Sequence, residues 1–174
     1  MVRILTAPPG TGGWLASSAT FSDDMQYRYT LERILKQCGG RCVFIGLNPS
    51  TADELKNDPT VARCINYARA WGYGEFVMLN AFALRSTDPA ALRSCDDPVG
   101  AENDAYIKAE VGKASIVVAA WGTHARLLGR HEALLAMLPA LHCLGTTKEG
   151  YPKHPLYLRK DLAPVAYIKE PRRT

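Results

Sequence analysis

No apolar run in this chain approaches the roughly 18 residues that a membrane-crossing helix needs. The opening Met1-Val-Arg-Ile-Leu-Thr6 has no sustained apolar core of the kind a secretion signal carries. The expectation is a cytoplasmic protein with no membrane partner. Cysteine is sparse and odd in number: Cys38, Cys42, Cys64, Cys95 and Cys143 make five. An odd set without a secretion signal argues against a disulfide framework. Cys38 and Cys42 are a close pair with no second pair after them, which argues against zinc and iron–sulfur spacings and leaves most of the thiols as buried, inert groups. A P-loop, a dinucleotide fingerprint and an internal repeat of roughly 20–50 residues are all missing. Neither a metal nor a cofactor is expected. A strong charge of one sign is missing too: 21 Lys and Arg against 17 Asp and Glu leave a net +4. That permits a nucleic-acid partner without requiring one.

What is present is an ordinary globular composition, 47% hydrophobic and 22% charged over 174 residues, enough for one domain with a substantial core. Residues 1–26 are rich in Gly, Pro, Ser and Thr and read as an N-terminal arm; 27–168 read as a single α/β domain and 169–174 as a basic tail. Within the domain, Leu31, Ile34 and Leu35 share a helical face, so 27–35 is expected to be a helix stopped by Gly39-Gly40. A buried strand over 42–46 follows. Asp58 and Pro59 then cap and open a helix bearing Val61, Ile65, Ala68 and Trp71. Further strands are expected at 75–79, 115–120 and 141–144, with helices over 100–112 and 123–138 and a last one opening at Pro155. This alternation predicts a three-layer α/β/α fold around a central, mainly parallel four-stranded sheet.

Such a sheet binds ligands beyond the C-terminal ends of its strands. Asn48, Asn80, Trp121-Gly122 and the 146–154 loop all follow strand ends, so they converge on one edge. Most turn asparagines satisfy loop backbone. Two at equivalent strand ends point to a site, because a carboxamide offers the donor and acceptor that match the edge of a nucleobase. His154, in a Gly- and Pro-punctuated loop, is a candidate to donate a hydrogen bond or proton to a leaving group. Asp53, Glu54 and Asp58 are the carboxylates near the first turn, each able to position a water, with Asp58 equally a helix cap. Arg85 and Ser86 are the best phosphate candidates; Ser50, Thr51, Lys148 and Lys153 join them, though each of the charges is also explained as a solvated surface group. Ser50 has no base partner that would make it a nucleophile.

In order, the motifs resemble the uracil-DNA glycosylase superfamily. Gly46-Leu47-Asn48-Pro49 looks like its first turn, Phe76-Val77-Met78-Leu79-Asn80 like the strand whose terminal Asn reads a flipped base, and His154-Pro155 like its final motif. The chain is also similar to an uncharacterised bacterial domain family related to that superfamily, through Tyr27-Arg28-Tyr29, Leu47-Asn48-Pro49-Ser50-Thr51-Ala52, Asp58-Pro59-Thr60, Ala83-Leu84-Arg85 and His154-Pro155-Leu156-Tyr157. The resemblance implies a base swung into the pocket and hydrolysis of an N-glycosidic bond in DNA. Asn80 would read the base beside Gly46 and Leu47, with Phe82 or Tyr73 stacking on it. Asn48 would hold the attacking water, and His154 would stabilise the leaving base. The first turn lacks the water-activating carboxylate of the most active branches. A non-catalytic nucleotide- or nucleic-acid-binding module and an enzyme of free nucleosides or nucleotides therefore remain the alternatives.

Overall fold

The computed structural model describes residues 1–167; the tail expected at 169–174 lies outside them. Eight strands form one mixed sheet: β1 (Val2–Thr6), β2 (Ala16–Ser22), β3 (Arg28–Ile34), β4 (Arg41–Gly46), β5 (Glu75–Asn80), β6 (Ile116–Ala119), β7 (His142–Cys143) and β8 (Val165–Ala166). Their spatial order is β1-β2-β3-β5-β4-β6-β7-β8. The expected four-stranded parallel sheet between helical layers is therefore corrected. Strands β5, β4, β6 and β7 do run parallel, but antiparallel β1–β3 extend the sheet at one side and β8 at the other. The helices are few: α1 (Pro59–Ala70), the single turn α2 (Ala91–Ser94), α3 (Asn103–Val111) and α4 (Arg130–Met137).

Within 27–35, read as a helix, Arg28–Ile34 form β3. The apolar spacing of Leu31, Ile34 and Leu35 fits a helix, but Tyr29, Thr30 and Leu31 suit a pleated surface, and pairing with β2 and β5 prevails. Residues 2–6 and 16–22 belong to the sheet, their Ser and Thr side chains alternating with Ala19 and Phe21 in the core. The helix expected over 123–138 begins only at Arg130. Before it the chain runs in 3-10 turns broken at Leu127 and Leu128, the latter in the left-handed region. The helix expected at Pro155 is a single 3-10 turn, Pro155–Tyr157.

Strand alternation sorts the core into two faces. Val43, Ile45, Val77, Leu79, Val117 and Ala119 pack with Ile107 of α3 and Leu134 of α4. Phe44, Phe76, Met78 and Val118 pack with Val61, Ile65 and Ala68 of α1. Asp58 starts α1 as expected, its Oδ1 accepting the Val61 N–H at 2.8 Å ahead of Pro59. All five cysteines are free, and burial pushes the Cys42 thiol up to about 12. Among the described residues no helix is long and apolar enough to cross a membrane, and no trio of His, Cys, Asp or Glu is grouped to hold a metal ion.

Two features of β3 position the site. Opposite β2, Thr20 pairs with Thr30 and Phe21 with Arg28, so Tyr29 is an extra residue, a β-bulge. Tyr29 stacks on Tyr106 of α3, whereas Arg28 joins Phe21 and Leu31 on the α1 face. Arg33 lies on that same face, fully buried. Its guanidinium donates to the carbonyls of Asp53 (2.5 Å) and Lys56 (3.2 Å), to Asn57 Oδ1 (2.9 Å) and to Ser17 Oγ (2.8 Å), while stacking 4.6 Å over Trp14. The loop between β4 and α1 is thereby clamped to the sheet.

Charge-assisted hydrogen bonds in a buried network are each worth about 1.5–3 kcal/mol. Arg33→Met should destabilise the fold by about 3 kcal/mol or more in urea titrations at pH 7, and Arg33→Lys should recover only part, since an ammonium lacks the planar fork. A loss below about 1 kcal/mol for Arg33→Met would show that the loop holds its path without the clamp.

Candidate functional site

A cleft of about 640 Å³ opens at the C-terminal ends of β4, β5 and β6, on the side of α1. The 46–50 turn, the first turn of α1, Ser86 to Pro89, Trp121 to His124 and the 153–158 segment form its walls. Asn48, Asn80, Trp121 and His154 all line it, together with Gly46, Leu47, Ser50, Ser86 and Lys153.

Asn80 closes β5 and pairs in register with Gly46 of β4. It is 1% exposed, and among the described residues neither its Oδ1 nor its Nδ2 has a hydrogen-bond partner. A buried amide left unpaired costs about 1–3 kcal/mol, so this group stands ready for an outside partner. Its backbone is fixed from the opposite face. Asn103 Nδ2 donates to the carbonyls of Asn80 (3.0 Å) and Ala81 (3.2 Å), and Arg130 Nε donates to Ala81 (2.6 Å). Gly46 leaves the carboxamide room: a Cβ there would meet Met78 Cε at 2.5 Å and Asn80 Oδ1 at 3.1 Å.

Asn48 is half-buried and ties two loops together. Its Nδ2 donates to the carbonyls of Ser86 (2.9 Å) and Pro49 (3.1 Å), which uses both hydrogens and leaves Oδ1 as an acceptor. Asp58 is the one carboxylate lining the cleft among the described residues; Asp53 and Glu54 do not reach it. His154 stands at the lip. Its Nδ1 accepts a long 3.4 Å bond from the Leu156 N–H, which assigns the ring proton to Nε2. Burial lowers its pKa below the ordinary histidine value, against the pull of the Asp58 charge. At neutral pH the imidazole is a neutral donor. Trp121 is 1% exposed and held by its Nε1–H to His131 Nδ1 at 3.1 Å.

Other expected residues lie elsewhere. Phe82 is wholly buried in the core on the far face, its N–H bonded to the Leu47 carbonyl, and cannot stack on a ligand. Arg85 turns into a neighbouring recess, donating to the Met25 carbonyl at 3.0 Å and lying 4.9 Å over Phe21. Thr51 and Lys148 are outside the cleft lining. Sequence reasoning missed Arg28 as a lining residue, since the helix assigned to 27–35 gave it no reason to face a strand-end site. Reading 28–31 as an alternating strand would not have found it either, because the bulge at Tyr29 turns Arg28 onto the face of Leu31. Burial lowers the Arg28 pKa to about 10, so it stays a cation at pH 7. Asn103 and Arg130 carried no signal, because they act on backbone from the other face.

No curated protein and no solved structure matches the chain. One family model does, covering residues 28–156, from the arginine at the start of β3 to the turn after His154. That stretch contains the cleft lining apart from Tyr157 and Leu158. The chain therefore belongs to the family described as protein of unknown function (DUF1643).

Proposed function

We propose that this cleft recognises a nucleobase and hydrolyses the N-glycosidic bond that joins it to a sugar. The observation that carries the reading is the Asn80 carboxamide, buried, unpaired and facing the cleft, with its donor and acceptor both available. A nucleobase edge supplies the complementary acceptor and donor. The motif resemblance to uracil-DNA glycosylases supports the same reading, since Asn80, Asn48 and His154 line one cleft in the order those motifs require.

In the proposed reaction the base enters against Asn80, with Leu47, Met78 and Trp121 as apolar walls. Asn48 Oδ1 accepts a hydrogen from water and aims its oxygen at the sugar C1′. As the C1′–N bond breaks, the bonding electrons leave with the base, and His154 Nε2–H donates a hydrogen bond to the negative charge that results. The water oxygen bonds to C1′, and its proton passes to Asp58 or to solvent. The products are a free base and a sugar bearing a hydroxyl at C1′. Among the described residues Lys153 and Arg28 are the lysine and arginine that line the cleft, and with Arg28 buried, Lys153 alone makes a thin basic border for a DNA strand. That observation favours a second reading, in which the base belongs to a free nucleoside or nucleotide.

Release of free base from oligonucleotides bearing uracil, mismatched or modified bases, and from nucleosides and nucleotides, should be followed by chromatography. Asn48→Ala and His154→Ala should each slow it by about 10²–10⁴-fold. Absence of released base from every substrate, with folded protein, would reduce the site to a binding module. Asn80→Asp replaces two donor hydrogens with an acceptor and should change which base is bound, and unchanged preference would remove Asn80 from the reading role.

His154 also predicts a pH dependence. Its pKa is lower in the folded protein than the ordinary value of about 6.5, so below that pH the unfolded chain binds more protons. Both stability and the neutral donor should be lost as pH falls from about 6.5 through the lowered value. His154→Asn should flatten that part of the stability profile, and an unaltered slope would assign it to other groups.

A further inference from the structure

The two buried arginines of β3 differ in a way that the base-binding reading does not use. Among the described residues Arg33 has no carboxylate within 4.0 Å, but carbonyl, amide and hydroxyl oxygens occupy its donors. Arg28 is as deeply buried, at 1% exposure; among the described residues it too has no carboxylate within that distance, yet its guanidinium makes one hydrogen bond, from Nη1 to the Ala52 carbonyl at 2.7 Å. Its Nε is buried and unpartnered. By contrast Arg41 is paired with Glu32, Glu75 and Glu110, and the buried Arg130 with Asp104. An under-partnered cation buried beside a cavity is unfavourable unless an anion enters.

We infer that Arg28 is the centre of a phosphate subsite on the floor of the cleft, so that the ligand is a nucleoside carrying a phosphate. The inference rests on the nucleobase reading of Asn80 for the nucleoside half and on Arg28 alone for the phosphate half. Ser50 and Thr60 add hydroxyl donors to the same cleft, and Lys153 adds a second cation at its border. Asp58 is the opposing charge. Its Oδ1 is engaged with the Val61 N–H, and it stays beyond ion-pair distance of Arg28. A planar guanidinium presents paired N–H groups that match two phosphate oxygens. Because it lies on the floor and not on the rim, the terminal phosphate of a free nucleotide reaches it more directly than the diester of a strand. Arg85, which would extend a strand-binding rim, is turned away into its own recess.

The test compares nucleoside 5′-monophosphates with the corresponding nucleosides, short single- and double-stranded oligonucleotides, and inorganic phosphate. Binding to the full chain is read by calorimetry and thermal shift. At least one monophosphate should bind ten times more tightly than its nucleoside, and Arg28→Gln should erase that difference. Should Arg28→Gln fail to fold, Lys153→Ala should weaken the monophosphate severalfold and leave the nucleoside unchanged. Inorganic phosphate alone should raise the melting temperature of the wild type. Equal affinity for monophosphate and nucleoside, or no phosphate stabilisation, overturns the subsite while leaving base recognition standing. Phosphate binding that depends on Arg28 but ignores the base and Asn80→Ala keeps the subsite and overturns the base reading. Oligonucleotides binding more tightly than the monophosphate assign the phosphate to a strand.

Discussion

The grip of Arg33 on the loop between β4 and α1 is the constraint on which the rest of the site depends. That loop leaves β4 at Gly46, makes the turn bearing Asn48, and must arrive at Asp58 in position to start α1. It contains little to hold itself in shape beyond the short-range bonds of Asp53 to the N–H groups of Leu55 and Lys56. Most of its anchoring comes from a strand that is distant in sequence: Arg33 takes the carbonyls of Asp53 and Lys56, and Arg28 that of Ala52. Satisfying carbonyl oxygens with a buried cation is costly in desolvation, but it locks backbone that side-chain packing alone would leave free to move.

The opposite wall of the cleft is fixed by the same chemistry. Asn103 and Arg130 hold the backbone where β5 ends, from the α3 and α4 side of the sheet. The Arg130 guanidinium is itself paired with Asp104. Both strand ends that carry the central asparagines are therefore set by buried donors on either face. The two carboxamides then serve different ends. Asn48 spends its hydrogens on loop carbonyls and acts largely as a tie, while Asn80 spends none. A rigid frame around one unpaired amide is the arrangement expected of a preorganised recognition site.

The legible part of this architecture was local. The apolar run of β4, the Asp58-Pro59 start of α1 and the asparagine that ends β5 each carry their own signal in a few neighbouring residues. What stayed hidden depended on partners far away. Residues 28–34 contain an apolar spacing that fits a helix, and only pairing with β2 and β5 makes them a strand. Ser17, Thr20 and Thr30 lie in polar sequence yet are buried, because sheet pairing and side-chain bonds such as Thr30 to Thr20 satisfy them. Arginines read by default as surface groups, so the burial of Arg28, Arg33 and Arg130 had no sequence-level precursor. Phe82 illustrates the converse: its place just beyond Asn80 suggested a stacking platform, but past the end of β5 the chain departs from strand alternation and buries it in the far core.

The bulge at Tyr29 has a consequence for how this sequence can vary. Were all residues of β3 paired in a regular ladder, Tyr29 would stand opposite Phe21 and Arg28 would turn to the α3 face, where Tyr29 now stacks on Tyr106. Substitutions at Tyr29 leave the chain length, and so the parity of β3, intact. Deleting Tyr29 would keep Arg28 opposite Phe21 and lose only the stacking on Tyr106, whereas a slip of β3 that absorbed the bulge would turn the floor cation out of the cleft. The charge in the cleft is thus encoded by the bulged register of a strand as much as by the identity of its residues.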